Sequence, residues 1–348
     1  MDFDARLIPL HRHPLGFIEA FTSLGADQDA LLAGTGISPA MFDLQRAHIS
    51  YHQWQQLLRN GIRLCRQPNL GLAVGLQLHW SYWGPLGFLV HCSPSLKDAA
   101  EAFRRYMVIV QPFYALRAGK SNSYLDTGDR VVEPINYVTP HDHDPMLRAF
   151  ALQFRLATTL RIWDSCGNKN VSDPEIQVRL ADPKPACTRL YEQLPCQSLA
   201  FECDSSTISG SMALVFKRFR PLRQRTFDHL IQECERELDH FSESITFCER
   251  VRWHIRAHFT PNQELGKVAE QLQLSARSLT RRLSAEGTSF RRLLHEIRME
   301  IAVHHLQHSS LKLDTIADYT GFSCASSLRR AVKNWTGRAA GEVRAATS

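Results

Sequence analysis

Apolar residues recur at three- and four-residue intervals over 51–66 (Trp54, Leu57, Leu58, Ile62, Cys65), which predicts an amphipathic helix. A second such stretch covers 96–110, with Leu96, Ala99, Ala100, Phe103 and Met107 on one face and Ser95 placed as its N-cap. Beyond Pro112 the pattern changes. Residues 113–117, 122–126, 131–139, 175–181 and 198–203 read as short strands separated by Gly, Asp, Asn and Pro. Among them, 145–163 reads as a helix (Met146, Phe150, Leu152, Phe154, Leu156, Leu160). An α+β domain is therefore expected over 1–205. Residues 206–248 read as connector and packing helices. They comprise a basic stretch at 217–225, interrupted by Pro221, and an amphipathic helix at 226–241 (Phe227, Leu230, Ile231, Cys234, Leu238). The remaining residues, 249–348, carry helical patterns only and predict an all-α domain.

That last part contains a repeat. Val268, Ala269, Leu274 and Ser275 return as Ile316, Ala317, Phe322 and Ser323. With one inserted residue, Leu279 and Arg281 return as Leu328 and Arg330, and with one more Gly287 returns as Gly337. Each copy predicts a short helix, a tight turn and a second helix, so two helix-turn-helix motifs. Ala269 and Ala317 leave room for a crossing helix, and Leu274 and Phe322 carry the turn into the core. Ser275 and Ser323 are placed to cap the second helix and leave its first amides free for phosphate. Gly321 suits a turn residue with positive φ. Gln273 at the same place carries strain of up to about 1 kcal/mol if that φ is kept.

The second helices divide into an inner face (Leu279 and Leu283; Leu328 and Val332) and an outer one. The outer face holds Arg277, Thr280 and Arg281 in the first copy, and Ser326, Arg329 and Arg330 in the second. Arginine can donate two bonds to guanine in the major groove, whereas phosphate contacts only position a protein. Between the copies, 289–307 has the pattern of one long helix (Phe290, Leu293, Leu294, Ile297, Ile301, Ala302, Leu306). At 1.5 Å per residue it spans about 28 Å, comparable to the roughly 34 Å between successive major grooves on one side of a duplex.

Charge sharpens this picture. The net charge is +6, yet 249–348 holds 16 Lys/Arg against 9 Asp/Glu and the remainder 25 against 26, so all the excess lies in the helical part. A polyanionic partner follows. No apolar run approaches the ~18–20 residues of a membrane span, and the N-terminus has no apolar signal core. The nine cysteines follow no ligand or disulfide spacing and read as reduced thiols of a cytoplasmic protein, with no metal and no cofactor.

Val268-Ala269, Leu274-Ser275, Leu279, Arg281, Phe290, Arg298, Ala302, Leu306, Ile316-Ala317, Gly321-Phe322-Ser323, Arg330, Lys333-Asn334-Trp335, Gly337 and Arg344 together resemble the AraC/XylS family of regulators over 250–346. The resemblance implies a seven-helix domain whose recognition positions are Arg277, Thr280 and Arg281, then Ala325, Ser326, Arg329 and Arg330. Leu328 and Val332 stand where the family prefers Phe, Ala340 where Pro is usual, and Ala325 where a polar residue is common. The N-terminal half resembles the arabinose-binding-like effector or dimerisation domain of the family through Leu70-Gly71-Leu72-Ala73-Val74-Gly75, Gly84-Pro85-Leu86-Gly87 and Ser93-Pro94-Ser95-Leu96.

The expectation is a transcription regulator, a ligand-responsive activator that binds double-stranded DNA as a homodimer and works with RNA polymerase. Two alternatives stand beside it. The N-terminal domain could mediate protein contacts only, or the chain could be a repair enzyme built on the same DNA-binding unit. Candidates for a small-molecule effector pocket are Tyr114, Arg117, Tyr124 and Tyr137 on the expected strands, with Arg117 suited to a carboxylate. His141-Asp142-His143-Asp144 reads as a solvated loop more than a metal site. Pro195-Cys196 resembles the reactive dipeptide of alkyl-transfer enzymes, but Gln197-Ser198 follows where His-Arg would be required, and the chain is read as a non-enzyme.

Overall fold

A computed structural model describes residues 4–44, 47–112, 125–126, 130–134, 144–166, 176–211, 224–257, 259–308 and 311–345. The described residues separate into two compact units, one ending at Ser244 and one beginning at Ile245.

The first unit is α+β. Among the described residues its helices are α1 (His13–Ser23), α2 (Gln28–Leu32), α3 (Tyr51–Leu64), α4 (Leu70–Gln77), α5 (Pro85–Cys92), α6 (Leu96–Tyr106), α7 (Pro145–Cys166) and α8 (Gln224–Ser244). The α3 helix starts at a capping box: Ser50 Oγ accepts the Gln53 N–H, and the Gln53 side chain accepts the Ser50 N–H. The motif Leu70–Gly75 has a packing reason. A Cβ on Gly71 would lie 2.1 Å from the Phe150 carbonyl oxygen, and one on Gly75 2.8 Å from Ala157 Cβ. Both glycines therefore let α4 and α7 approach backbone to backbone. Arg161 of α7 then donates to the carbonyls of Gly75 (2.9 Å) and Leu78 (2.6 Å), closing the C-terminal end of α4.

Two short strands, β1 (Ile8–Pro9) and β2 (His48–Ile49), pair antiparallel. Among the described residues the larger sheet has five strands: β3 (Leu125–Asp126), β4 (Arg130–Pro134), β5 (Gln177–Arg179), β6 (Ser198–Ala200) and β7 (Thr207–Ser211). Their order is β3-β4-β7-β5-β6, with only β5–β6 parallel. The sequence placed 206–248 in a connector. Instead β7 pairs with both β4 and β5, at the middle of the sheet. Its Thr-Ile-Ser-Gly-Ser sequence has one large apolar residue and a glycine, too weak an alternation to stand out. Helix α8 packs on α5 and α6 within the first unit. Glu237 pairs with Arg12, Glu235 takes Tyr106 and Arg105, and Cys234 is sealed between them.

The second unit carries seven helices among the described residues. They are α9 (Phe247–Ala257), α10 (Leu265–Gln271), α11 (Ala276–Ala285), α12 (Phe290–His308), α13 (Leu313–Thr320), α14 (Ala325–Thr336) and α15 (Ala340–Ala345). They build two cores. Leu293, Leu294, Ile297 and Ile301 of α12 join α9, α10 and α11 in one (Val251, Ile255, Val268, Leu279, Leu283). Met299, Ala302 and Leu306, on another face of α12, join α13, α14 and α15 in the other (Ile316, Ala317, Leu328, Val332, Ala340, Val343). The residues that depart from the family's preference (Leu328, Val332, Ala340) are thus buried apolar groups that still fill a core. The apolar stripes of α12 are shared out between two clusters, so one helix serves as a wall for both.

Candidate nucleic-acid interface

The two turns of the repeat have the same backbone. After α10, the Gln273 N–H donates to Glu270 O (2.9 Å) and the Leu274 N–H to Ala269 O (2.8 Å). After α13, the Gly321 N–H donates to Asp318 O (3.3 Å) and the Phe322 N–H to Ala317 O (2.9 Å). This is the helix ending that needs a left-handed residue at its centre. Gln273 takes φ 56° and Gly321 φ 74°. Gln273 therefore carries the strain that its position implied. Replacement by glycine is expected to raise stability by about 0.5–1 kcal/mol, read by urea unfolding. Unchanged or lower stability would show that the turn imposes no cost there.

Both helices after the turns bury one face and expose the other. Leu279 and Leu283 of α11, and Leu328 and Val332 of α14, are inaccessible to solvent. On the opposite faces Arg277, Thr280 and Arg281 are exposed, as are Ser326, Arg329 and Arg330. Thr280 Oγ1 donates to the Ala276 carbonyl (2.9 Å), which leaves its methyl and oxygen lone pairs for a partner. Ala325 is different. It is 8% exposed, so its methyl faces the protein and is not available for a contact.

The capping expectation holds in one copy and shifts in the other. Ser275 Oγ accepts the Ser278 N–H at 3.1 Å. In the second copy the N-cap is Cys324, not Ser323. The Cys324 N–H donates to Ser327 Oγ (3.3 Å), and Ser323 Oγ lies 3.3 Å from the same hydroxyl. The reason is the inserted residue of the repeat, which falls between the positive-φ residue and the helix start. Gln273 is two residues before its N-cap, whereas Gly321 is three before its own. The backbone and hydroxyl hydrogen bonds from Ser327 hold the Cys324 thiol below its ordinary pKa. Sequence reasoning missed Cys324, although the offset change from 48 to 49 residues was the signal for it.

The effector candidates Tyr114, Arg117, Tyr124 and Tyr137 lie outside the described residues, as do His141, Asp142 and His143. Asp144 accepts the N–H groups of Met146 (3.1 Å) and Leu147 (3.4 Å) and pairs with Arg59 (3.1 Å), so it caps α7. Among the described residues no cluster of three His, Cys, Asp or Glu is placed to hold a metal. Burial raises the Cys196 thiol above its usual value, which works against the thiolate an alkyl-transfer nucleophile needs. No helix among the described residues is long and apolar enough to cross a membrane.

Comparison with known proteins bears on the same surfaces. Residues 25–218 match the family described as the arabinose-binding domain of AraC transcription regulator, N-terminal, and residues 268–346 match a helix-turn-helix domain. The ornithine utilization regulator of Pseudomonas aeruginosa is 26% identical over 99% of this chain and 98% of its own. The transcriptional regulator VirS of Mycobacterium tuberculosis is 25% identical over 95% of this chain and 94% of its own. VqsM, a transcriptional regulator of Pseudomonas aeruginosa, is 24% identical over 79% and 83%. All three relatives are named as regulators. With an AraC-type N-terminal domain across more than half its length and a helix-turn-helix domain behind it, this chain belongs to the AraC family and is a DNA-binding transcription regulator.

Proposed function

We propose that the second unit reads double-stranded DNA with two helix-turn-helix motifs, α10–α11 and α13–α14, joined by α12 and seated in successive major grooves. The observation that supports this is the division of each second helix. Arginines stand on the outer face of both α11 and α14, while the inner faces lie in two separate cores that share α12. Helix α12 has 19 residues, so it runs about 28 Å. In this reading Arg277, Thr280 and Arg281, with the Ser275 cap, form one reading edge. Ser326, Arg329 and Arg330, with Ser323 beside the cap, form the other. The first unit, which we take to begin at residue 1 and to include α8, senses an effector, pairs protomers, or does both, and the regulator acts as an activator alongside RNA polymerase. A thermal-shift screen of the full chain tests the sensing role, with ornithine included because one relative is named for its utilization.

Arg281→Ala tests the reading head directly. On a duplex that the full chain selects from a randomised pool, it should cost about 1–3 kcal/mol of binding, with little change on a scrambled duplex. An equal loss on both would mean that Arg281 touches only phosphate.

A further inference from the structure

We propose that Glu286 is a positioning residue for DNA reading: it clasps the recognition helix α11 to the first helix of its unit, α9, and fixes the angle at which Arg277, Thr280 and Arg281 are presented. The proposal rests on the reading of α11 as a recognition helix.

Two sets of contacts make the clasp. Glu286 follows α11 directly, where the chain turns at Gly287 with φ 72°. The Gly287 N–H donates to Ser284 O (3.0 Å) and the Thr288 N–H to Leu283 O (3.0 Å), so the backbone that launches the Glu286 side chain is itself pinned. The carboxylate then reaches 39 residues back along the chain. Oε1 accepts the Phe247 N–H at 3.0 Å and Oε2 the Cys248 N–H at 2.8 Å. These are opening amides of α9, which lack partners inside their own helix, and a negative charge there also suits the helix dipole. Beside them, the Phe247 ring lies against two guanidinium groups. Arg250 of α9 is 5.2 Å from its centroid and Arg282 of α11 is 5.3 Å. One residue of α9 is therefore held by two residues of α11 and its end turn.

Apolar packing alone would leave α11 free to tilt. It reaches the core chiefly through Leu279 and Leu283, a single stripe four residues apart. Hydrophobic contact has no direction, whereas a two-pronged hydrogen bond does. Arg277 lies nine residues before Glu286, an arm of about 13 Å, over which a tilt of about 5° becomes a shift of about 1 Å. Base edges do not tolerate such a shift, while contacts to the continuous phosphate backbone do. The clasp should therefore govern specificity more than general affinity for DNA. It also lies where the chain enters the second unit, since only Ile245 and Thr246 separate Ser244, the end of α8, from Phe247.

Glu286→Gln keeps the length of the side chain but leaves one acceptor oxygen for two donors. In the full chain it should weaken binding to the selected duplex by about tenfold while leaving the scrambled duplex nearly unchanged. Circular dichroism at the assay temperature shows whether the variant is folded. If it is not, Phe247→Leu retains both backbone donors and the apolar bulk, removes the ring, and should lower the same ratio of affinities severalfold. An unchanged ratio in a folded variant, or an equal loss on both duplexes, overturns the proposal. Arg281→Ala separates the two levels. If that variant also leaves the ratio unchanged, the recognition role of α11 fails and takes this one with it. If Arg281→Ala lowers the ratio and the Glu286 and Phe247 variants do not, only the clasp fails.

Discussion

Arg256→Ala is expected to destabilise the second unit by about 2–4 kcal/mol. The guanidinium is 3% exposed and bonds Glu300 of α12, and one turn away Arg252 bonds Glu296 at 2.6 Å. The two pairs form parallel steps between α9 and α12. Removing Arg256 leaves the Glu300 carboxylate without its bonded counter-charge, with only the more distant charge of Arg252 nearby, in a site where it is only 27% exposed. That residual exposure lets water recover part of the loss, which keeps the cost below the full range for a wholly buried pair. Hydrogen exchange in α9 and α12 of the full chain measures it. The double change Arg256→Met with Glu300→Leu, which replaces the charges by apolar groups, should recover most of the protection. A single variant within about 0.5 kcal/mol of wild type, the range of an ordinary surface change, would refute the assignment. Acid should weaken the neighbouring step. Burial works to raise the Glu296 pKa, but the hydrogen bond and charge of Arg252, then of Arg292, outweigh it and hold it below the usual range. A carboxyl depressed in the folded state contributes fully above its unfolded value of about 4.3, and that contribution is lost as pH falls through the folded value.

Gly321→Ala should cost about 2–4 kcal/mol, from left-handed strain and overpacking together. The residue sits at φ 74°, and a Cβ there would lie 2.2 Å from the Pro261 carbonyl oxygen and 2.9 Å from Arg298 Nη2. Those two atoms are bonded to each other at 2.6 Å, so neither yields cheaply. The turn or the loop at Pro261 must move, and α14 moves with the turn. On the proposed reading of α14 as a recognition helix, loss of stability should come with loss of base preference in its half of the site, measured by binding to duplexes altered only there. The contrast with Gln273 is instructive. It adopts nearly the same φ in the first copy, yet there the chain carries a full side chain that remains exposed. Gly321→Ala with wild-type stability would mean that the close approach is relieved without cost.

Much of this architecture was legible in the residues. The repeat of Val268–Ser275 in Ile316–Ser323, the segregated arginines and the location of the excess charge placed two helices with basic outer faces and a long helix between them. The structure has helices at these positions, with the expected leucines sealed and the expected arginines exposed. Helices α3, α6, α7 and α8 also lie within a few residues of their patterns. Strand β7 was not legible, because a short polar strand in the middle of a sheet is specified by its neighbours' open hydrogen-bonding edges. The N-cap of α14 and the inward methyl of Ala325 were missed because one inserted residue moves every later position by a step along the turn.

Local chemistry, then, was written into the chain: helical periodicity, small residues at crossings, a glycine where φ must be positive, and charge on one face. These depend on residues within a turn or two of each other, and a linear pattern records them. The partners of Glu286, Arg256 and Gly321 lie 39, 44 and 60 residues away. No periodicity encodes such pairs. They exist only once packing of the apolar faces has brought distant segments to within a few ångströms, where directional bonds and steric limits can act.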